Sequence, residues 1–206
     1  LSNMSYIKET FEVTTLENAK HVALTNDPNN PNKFEEETNH VILSLSNEIC
    51  SYNGRTWLDY GCGMGRISLG IIRQFADYVT GYDTSQSMLY FAKKYIPSEL
   101  FIPTMKLPEK KNTFDCIVSA FCLQHVEDVA EEVENISQQI KPTGTFILIN
   151  EKNRFVPTKI TDENYVVWED DGVNVFEEVE KKFALYKSVP YVKGSNLNIN
   201  FYNRRT

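Results

Sequence analysis

The chain has 206 residues, enough for one domain of ordinary size with a substantial core. It is 41% hydrophobic and carries a net charge of -7, which argues against broad, charge-driven binding to nucleic acid. No apolar run approaches the length of a membrane span, and no cationic flank with an apolar stretch marks a secretory leader.

Leu1-Ser2-Asn3 precedes Met4 and reads as an expression remnant, with Met4 the expected natural start. From Tyr6 to Asn32 the signals are weak. Leu16 to Leu24 has the pattern of a short helix, and Asn26 to Asn32 is a turn-rich break. From Lys33 to Tyr52, Phe34, Val41, Leu45 and Ile49 recur at helical spacing. Glu35, Glu36 and Glu37 stand in the first turn, where carboxylates suit the helix dipole, and Asn53-Gly54 closes the helix.

The pattern then alternates. A strand over Thr56 to Asp59 breaks into Gly61, Gly63 and Gly65, and a helix runs on to Phe75. A strand over Tyr78 to Asp83 leads to a helix from Ser85 to Tyr95, with Asp83, Thr84 or Ser85 as its N-cap. A short strand over Leu100 to Thr104 is followed by a polar loop through Asn112, a strand over Phe114 to Phe121 and a helix over Val126 to Ile140. Pro142-Thr143-Gly144 reads as a turn before the apolar strand Phe146 to Ile149. Apolar strands alternating with helices indicate a mostly parallel sheet covered on both faces. Glu151 to Asp162 then reads as a long loop, Glu163 to Asp171 as a strand or a lid segment, and Val173 to Phe183 as a helix. Ala184 to Val192 and Asn196 to Tyr202 read as two strands. Lys193-Gly194-Ser195 is too short a link for any but an antiparallel pair.

Cys50, Cys62, Cys116 and Cys122 make no C-x-x-C pair, and only His21, His40 and His125 accompany them, so no metal site is expected. Free thiols without a framework fit a reducing cytoplasm.

Glycines at the end of the first strand permit positive φ and let a ligand approach backbone without a Cβ in the way. The following helix offers free N–H groups, and such a junction in a parallel sheet is where nucleotide-like ligands bind. A dinucleotide fingerprint needs G-x-G-x-x-G. From Gly61 the third glycine would fall at Arg66, and from Gly63 at Ser68, so both registers fail. A nicotinamide dehydrogenase is therefore only a weak third option. The pattern present is D-x-G-x-G-x-G, from Asp59 to Gly65.

That pattern resembles motif I of class I S-adenosylmethionine-dependent methyltransferases. Asp83, at the end of the second strand, resembles the family's acidic residue on the ribose hydroxyls. Phe114 to Val126, ending Leu123-Gln124-His125-Val126, resembles the family's fourth-strand motif, and Ile140 to Ile149 resembles its Leu-Lys-Pro-Gly-Gly segment entering strand five. The resemblance covers about Arg55 to Asn150. It implies a doubly wound α/β fold: a Rossmann-like, mostly parallel seven-stranded sheet whose last strand is antiparallel. It also implies a single domain over 1–206, with an N-terminal helical cover (1–53), a cofactor-binding core (54–150) and a C-terminal substrate-side segment (151–206).

The implied cofactor is S-adenosyl-L-methionine, with S-adenosyl-L-homocysteine as its product. The implied contacts are Asp59, Tyr60, Gly61, Cys62, Gly63, Gly65, Asp83, Thr84, Met88, Met105 and Phe121. Asp59 would order the loop near the methionine amino group. The third strand departs from the family: Phe101 to Leu107 holds no aspartate, so Met105 and backbone N–H groups are assigned to the adenine instead. Thr143 stands where the family often has glycine. His125 and Glu151 are the candidate catalytic residues, each a base or, for Glu151, a substrate contact. Tyr165 and Trp168 are either pocket aromatics or hydrophobic anchors, and Lys20 and His21 are placed over the cofactor carboxylate by family habit.

The expected reaction is methyl transfer to a small-molecule acceptor, with no nucleic acid or membrane partner. No Asn/Asp-Pro-Pro-Tyr/Phe and no Pro-Cys follows the fourth strand, where Ser119-Ala120-Phe121-Cys122 stands. That lowers the case for adenine or amide nitrogen and for cytosine carbon. A protein side chain is the next acceptor class. The alternative function is a catalytically silent subunit that binds the cofactor.

Overall fold

The computed structural model describes residues 6–49, 54–160 and 165–206, with Lys159 and Ile160 as backbone alone. Two N-terminal helices, α1 (Leu16–Ala23) and α2 (Lys33–Glu48), precede the repeating part. That part runs β1 (Thr56–Tyr60), α3 (Arg66–Phe75), β2 (Tyr78–Tyr82), α4 (Gln86–Tyr95), β3 (Phe101–Thr104), β4 (Phe114–Ala120), α5 (Val129–Gln139) and β5 (Ile140–Ile149). The tail comprises β6 (Asn153–Ile160), β7 (Val166–Asn174), α6 (Val175–Glu180), β8 (Phe183–Pro190) and β9 (Asn198–Arg204).

Seven strands form one sheet in the order β3-β2-β1-β4-β5-β9-β8. The first five are mutually parallel, and β9 is antiparallel to both β5 and β8. The chain winds outward in both directions from β1, so the β1–β4 boundary is a topological switch point, and a crevice opens above the strand ends there. Successive residues of each strand serve opposite faces. Trp57, Val118 and Ile147 join the core beneath α2 and α3, while Leu58, Ile117 and Leu148 join the core beneath α5 and α6. This two-sided burial is why the strands read as unbroken apolar runs.

The structure corrects four boundaries. The second helix ends at Glu48, with Ile49 as C-cap; Cys50 to Asn53 lie outside the described residues. The fifth helix starts at Val129, not Val126, because Asp128 caps it by accepting from Glu131 N–H at 3.0 Å. Pro142-Thr143-Gly144 is no turn: it lies within β5, and a register shift opposite Phe114 to Cys116 absorbs it. Glu151 to Asp162 is no loop as far as it is described. Residues 153–160 form β6, which pairs antiparallel with β7 in a separate two-stranded ribbon. Pro157 lies within this strand, opposite Trp168. The register shifts between it and Lys159, the kind of irregularity at which a sheet accommodates proline.

Candidate functional site

A cavity of about 800 Å³ opens above the C-terminal ends of β1, β2 and β4. Its floor is the glycine loop. Gly61, Gly63 and Gly65 all take positive φ, at 74°, 52° and 87°. Gly61 and Cys62 donate their N–H groups to the Tyr82 carbonyl at 2.8 and 2.9 Å, which fastens the loop to β2. Three different demands fall on the three glycines. A Cβ at Gly61 would stand 2.2 Å from Cys122 Sγ, and one at Gly65 would stand 2.5 Å from Ile96 Cδ1. At Gly63 the nearest atom is Met88 Sδ at 4.0 Å, so this glycine borders open cavity.

Asp83 follows β2 and sits beside Gly63. Its carboxylate accepts from Gly63 N–H at 2.8 Å and Ser85 N–H at 2.9 Å. Burial pushes its pKa up, and these backbone bonds oppose that shift. Ser85 in turn caps α4 by accepting from Met88 N–H at 3.2 Å. Asp59 lies deeper, 2% exposed, and accepts from Ser68 N–H at 3.1 Å and Ser68 Oγ at 2.6 Å. Burial pushes its pKa up to about 6.

His125 closes the far wall, on a short 3₁₀ turn after β4. Its Nδ1 faces the Phe155 carbonyl oxygen at 3.0 Å, so Nδ1 carries the proton. Its Nε2 accepts from the Gln124 amide nitrogen at 3.1 Å, while Gln124 Oε1 accepts from Glu151 N–H at 2.7 Å. The ring is thus pinned in one tautomer by the Phe155 carbonyl of β6 and by Gln124, which the Glu151 N–H after β5 holds in turn. Burial lowers its pKa below the ordinary imidazole value, which leaves it neutral near pH 7.

Aromatic rings from distant segments meet at the mouth. His125 lies 4.9 Å from Trp168 of β7, and Phe11 lies 6.0 Å from His125 and 5.9 Å from Trp168, centroid to centroid. The N-terminal segment reaches the site because both of its ends are tied. Ile7 N–H donates to the Pro157 carbonyl at 2.9 Å, and Val13 N–H donates to Ser87 Oγ at 2.8 Å. Ser87 also donates its hydroxyl to Glu12.

Of the residues singled out in the sequence, Asp59, Tyr60, Gly61, Cys62, Gly63, Asp83, Thr84, Met88, Phe121, His125 and Glu151 line the cavity. Gly65 does not; it lies under the loop against Ile96. Met105 is 45% exposed and away from the cavity, which corrects its assignment to the adenine. Thr104 Oγ1 bonds both Lys106 N–H and the Lys106 carbonyl, and that small turn ends β3 short of the site. His21 and Trp168 line the cavity, whereas Lys20 and Tyr165 do not. Glu151 is exposed at the rim, though its backbone holds Gln124.

Residues that the sequence reading did not single out also line it: Tyr6, Phe11, Arg66, Glu132 and Tyr191. Arg66 had a local signal, standing directly after the glycine loop. It is only 4% exposed and donates to Thr38 Oγ1 at 3.1 Å. Phe11 and Tyr191 carried none, since they reach the site only through long-range chain return. Phe121 takes φ 55°, a left-handed value uncommon for a non-glycine residue, and its ring packs edge-on against Tyr191 at 5.3 Å. Among the described residues no group of three or more His, Cys, Asp or Glu side chains is placed to hold a metal ion. No described helix is long and apolar enough to cross a membrane.

Residues 58–148 match the family model described as a methyltransferase domain. A ubiquinone biosynthesis O-methyltransferase from Xylella fastidiosa is 31% identical over 125 residues, covering 57% of this chain and 50% of that protein. The human protein named arginine-hydroxylase NDUFAF5, mitochondrial, is 34% identical over 126 residues, covering 57% of this chain and 35% of its own. The chain thus spans about half the length, or less, of these curated relatives. In fold, it superposes on a protein from Methanococcus maripaludis named as an S-adenosyl-L-methionine-dependent methyltransferase. The TM-score is 0.68 at 18% identity, over 99% of this chain and 98% of that one.

Proposed function

This chain carries a class I S-adenosylmethionine-dependent methyltransferase domain, and from that premise we propose that it transfers the methyl group to a small-molecule acceptor held in the cavity. One observation carries the reading. The floor of glycine loop and Asp83 and the aromatic mouth of Phe11, His125 and Trp168 line one cleft of small-molecule size.

The residues present fit the cofactor. Gly63 leaves room where a side chain would intrude, and Asp83 keeps lone pairs beyond those spent on Gly63 and Ser85. Two adjacent ribose hydroxyls suit that carboxylate. Bound S-adenosylmethionine supplies a methyl carbon already activated by sulfonium, which a nucleophile displaces in line. The chain's own part is then to hold the acceptor in line and keep water out. The N-terminal segment, tied at Pro157 and Ser87, covers the site and serves that exclusion.

For a hydroxyl acceptor we assign the base to His125. Its Nδ1 proton is held by Phe155, so Nε2 offers the lone pair, and the acceptor hydroxyl takes the place of the Gln124 amide. A second reading rests on the same bond: with Nε2 already engaged by Gln124, the domain binds the cofactor without transfer. The relative named as an arginine hydroxylase carries a name for a reaction other than methyl transfer.

Calorimetry with S-adenosylhomocysteine and an assay of labelled methyl transfer to phenols, alcohols and amines separate these outcomes. Binding with transfer supports the proposal, binding without transfer to any of them supports the silent subunit, and absence of binding removes both. Asp83→Ala is expected to weaken S-adenosylhomocysteine affinity by about 1–3 kcal/mol, the scale for lost bonds to a charged group. An unchanged dissociation constant would refute the ribose assignment.

His125→Ala is expected to lower turnover on a hydroxyl acceptor by about 100-fold or more, with cofactor affinity nearly unchanged. In the wild type, kcat/KM should fall on acidification through a pKa below 6.5, because burial lowers the imidazole's value. The same shift makes the folded state lose stability as pH falls below 6.5, since the unfolded chain takes up that proton first. A His125→Ala enzyme with the wild-type acid limb would assign the limb elsewhere.

A further inference from the structure

Arg66 lines the cavity and is only 4% exposed, yet it forms no ion pair among the described residues. Its partners are neutral hydroxyls. Nη1 donates to Thr38 Oγ1 at 3.1 Å, and the guanidinium faces the Tyr191 hydroxyl. Asp59 feels its charge but spends its own carboxylate on Ser68. A guanidinium carries more N–H donors than these contacts use. No Arg66 nitrogen is both sealed in protein and unbonded, so the donors left over open onto the cavity.

Lys33, Glu37 and Tyr191 line the same cavity. Lys33 forms no ion pair among the described residues either; its Nζ donates to the Thr25 carbonyl at 3.0 Å. Glu37, one helical turn after Lys33, is engaged by the Tyr191 hydroxyl, which donates to it at 2.6 Å. Neither cation therefore has a carboxylate partner, in a chain whose net charge is -7. A largely buried cation without a counter-ion is costly, and a carboxylate ligand supplies one, its two oxygens matching the guanidinium fork. The walls around Arg66 indicate which molecule brings that carboxylate. Phe34, Glu37 and Thr38 come from α2, with the Phe34 ring 6.0 Å from the guanidinium carbon, and Tyr191 follows β8. All four lie outside residues 58–148, the part that matches the methyltransferase family. The shared part serves the shared cofactor, and walls from outside it serve what differs between members, the acceptor. Phe121 and Tyr191, packed edge-on at 5.3 Å, add an aromatic face to this pocket.

We infer that Arg66 binds a carboxylate of the acceptor, and that the acceptor class is a small aromatic hydroxy acid, anchored by its acid end at Arg66 and methylated at its hydroxyl. Lys33 adds attraction for the same anion, and Thr38 and Tyr191 are positioning residues for the guanidinium. The inference rests on the methyl transfer to a hydroxyl proposed above.

The probes are hydroxybenzoates, hydroxyphenylacetates and hydroxycinnamates, each beside its neutral primary amide. Calorimetry on the protein saturated with S-adenosylhomocysteine measures their binding, and labelled methyl transfer measures their turnover. In the wild type at least one acid should bind about tenfold or more tighter than its amide, the scale for charge-assisted bonds, with the same preference in KM. In Arg66→Ala that preference should fall below about twofold. Arg66→Gln keeps a donor for Thr38 and guards against misfolding of the alanine variant; the preference should collapse there too. A wild type that binds no acid better than its amide would overturn the proposal, as would a preference that survives in either variant. Label recovered as a base-labile methyl ester would make the carboxylate the nucleophile and overturn it as well. S-adenosylhomocysteine is also compared with its decarboxylated analogue. If the wild type favours the former about tenfold and Arg66→Gln favours neither, the carboxylate on Arg66 is the cofactor's and the proposal falls. A wild type that does not bind S-adenosylhomocysteine would instead remove the reaction on which this rests.

Discussion

Gly61→Ala is expected to destabilise the protein by about 2–5 kcal/mol. Two costs combine: a left-handed φ of 74° imposed on a residue with a side chain, at about 1–2 kcal/mol, and overpacking of about 1–3 kcal/mol. The overpacking arises because the new Cβ would stand 2.2 Å from Cys122 Sγ and 2.5 Å from Cys122 Cβ. Gly63→Ala provides the contrast. Its φ of 52° carries the conformational cost alone, since only Met88 Sδ approaches, at 4.0 Å. That variant should remain folded, with about 1–2 kcal/mol lost. It should also lose most S-adenosylhomocysteine affinity, because the methyl group would occupy the face offered to the ligand. Urea unfolding midpoints and calorimetry on both variants decide the matter. If Gly61→Ala were as stable as wild type, the close approach of Cys122 to the loop would be refuted. If Gly63→Ala bound normally, the ligand would not lie against that glycine.

Asp77→Ala should cost about 3–5 kcal/mol, the scale for removing one partner of a buried ion pair. Asp77 is fully buried just before β2. It accepts from Gly54 N–H at 3.0 Å, Arg55 N–H at 3.1 Å and Trp57 Nε1–H at 2.9 Å, and Arg55 Nη1 lies 3.8 Å away. It therefore joins the entry of β1 to the entry of β2 at the end of the sheet opposite the cavity. Asp77→Asn keeps one acceptor oxygen and removes the charge, so its loss should be smaller. Chemical denaturation of the three proteins measures the series, and a shift below 0.5 kcal/mol for alanine would show that the carboxylate is dispensable. Because Asp77 is remote from the cavity, cofactor affinity of whatever folds should be unaffected.

The repeating core was legible because its signals are local. Trp57 to Tyr60 leads into glycines, Asp83 ends an apolar strand, and Ser85 caps the next helix, each within a few residues of the feature it controls. Boundaries failed where a local cue competed with a tertiary one. Val126 continued the apolar face of the fifth helix, but the cap is Asp128, so the helix begins only at Val129. Pro142-Thr143-Gly144 has turn chemistry, yet pairing with β4 and β9 draws its flanks into a single strand. Met105 was given to the adenine only because the family's third-strand pattern lacks its aspartate here, and Met105 is 45% exposed, beside the Thr104–Lys106 turn.

The sequence by itself determined the alternating strands and helices, the three-glycine turn and the carboxylate that faces it, since backbone conformation and apolar periodicity are written in neighbouring residues. Only the tertiary structure decided who shares the cavity with them. Phe11, His125 and Trp168 meet because the β6–β7 ribbon binds the N-terminal segment at Pro157, and Glu132 enters because Tyr60 holds it from another element. Those contacts join residues up to 157 positions apart, counting Phe11 to Trp168. No local pattern encodes them, because closing such long loops is driven by burial of the whole chain rather than by any one segment's preference.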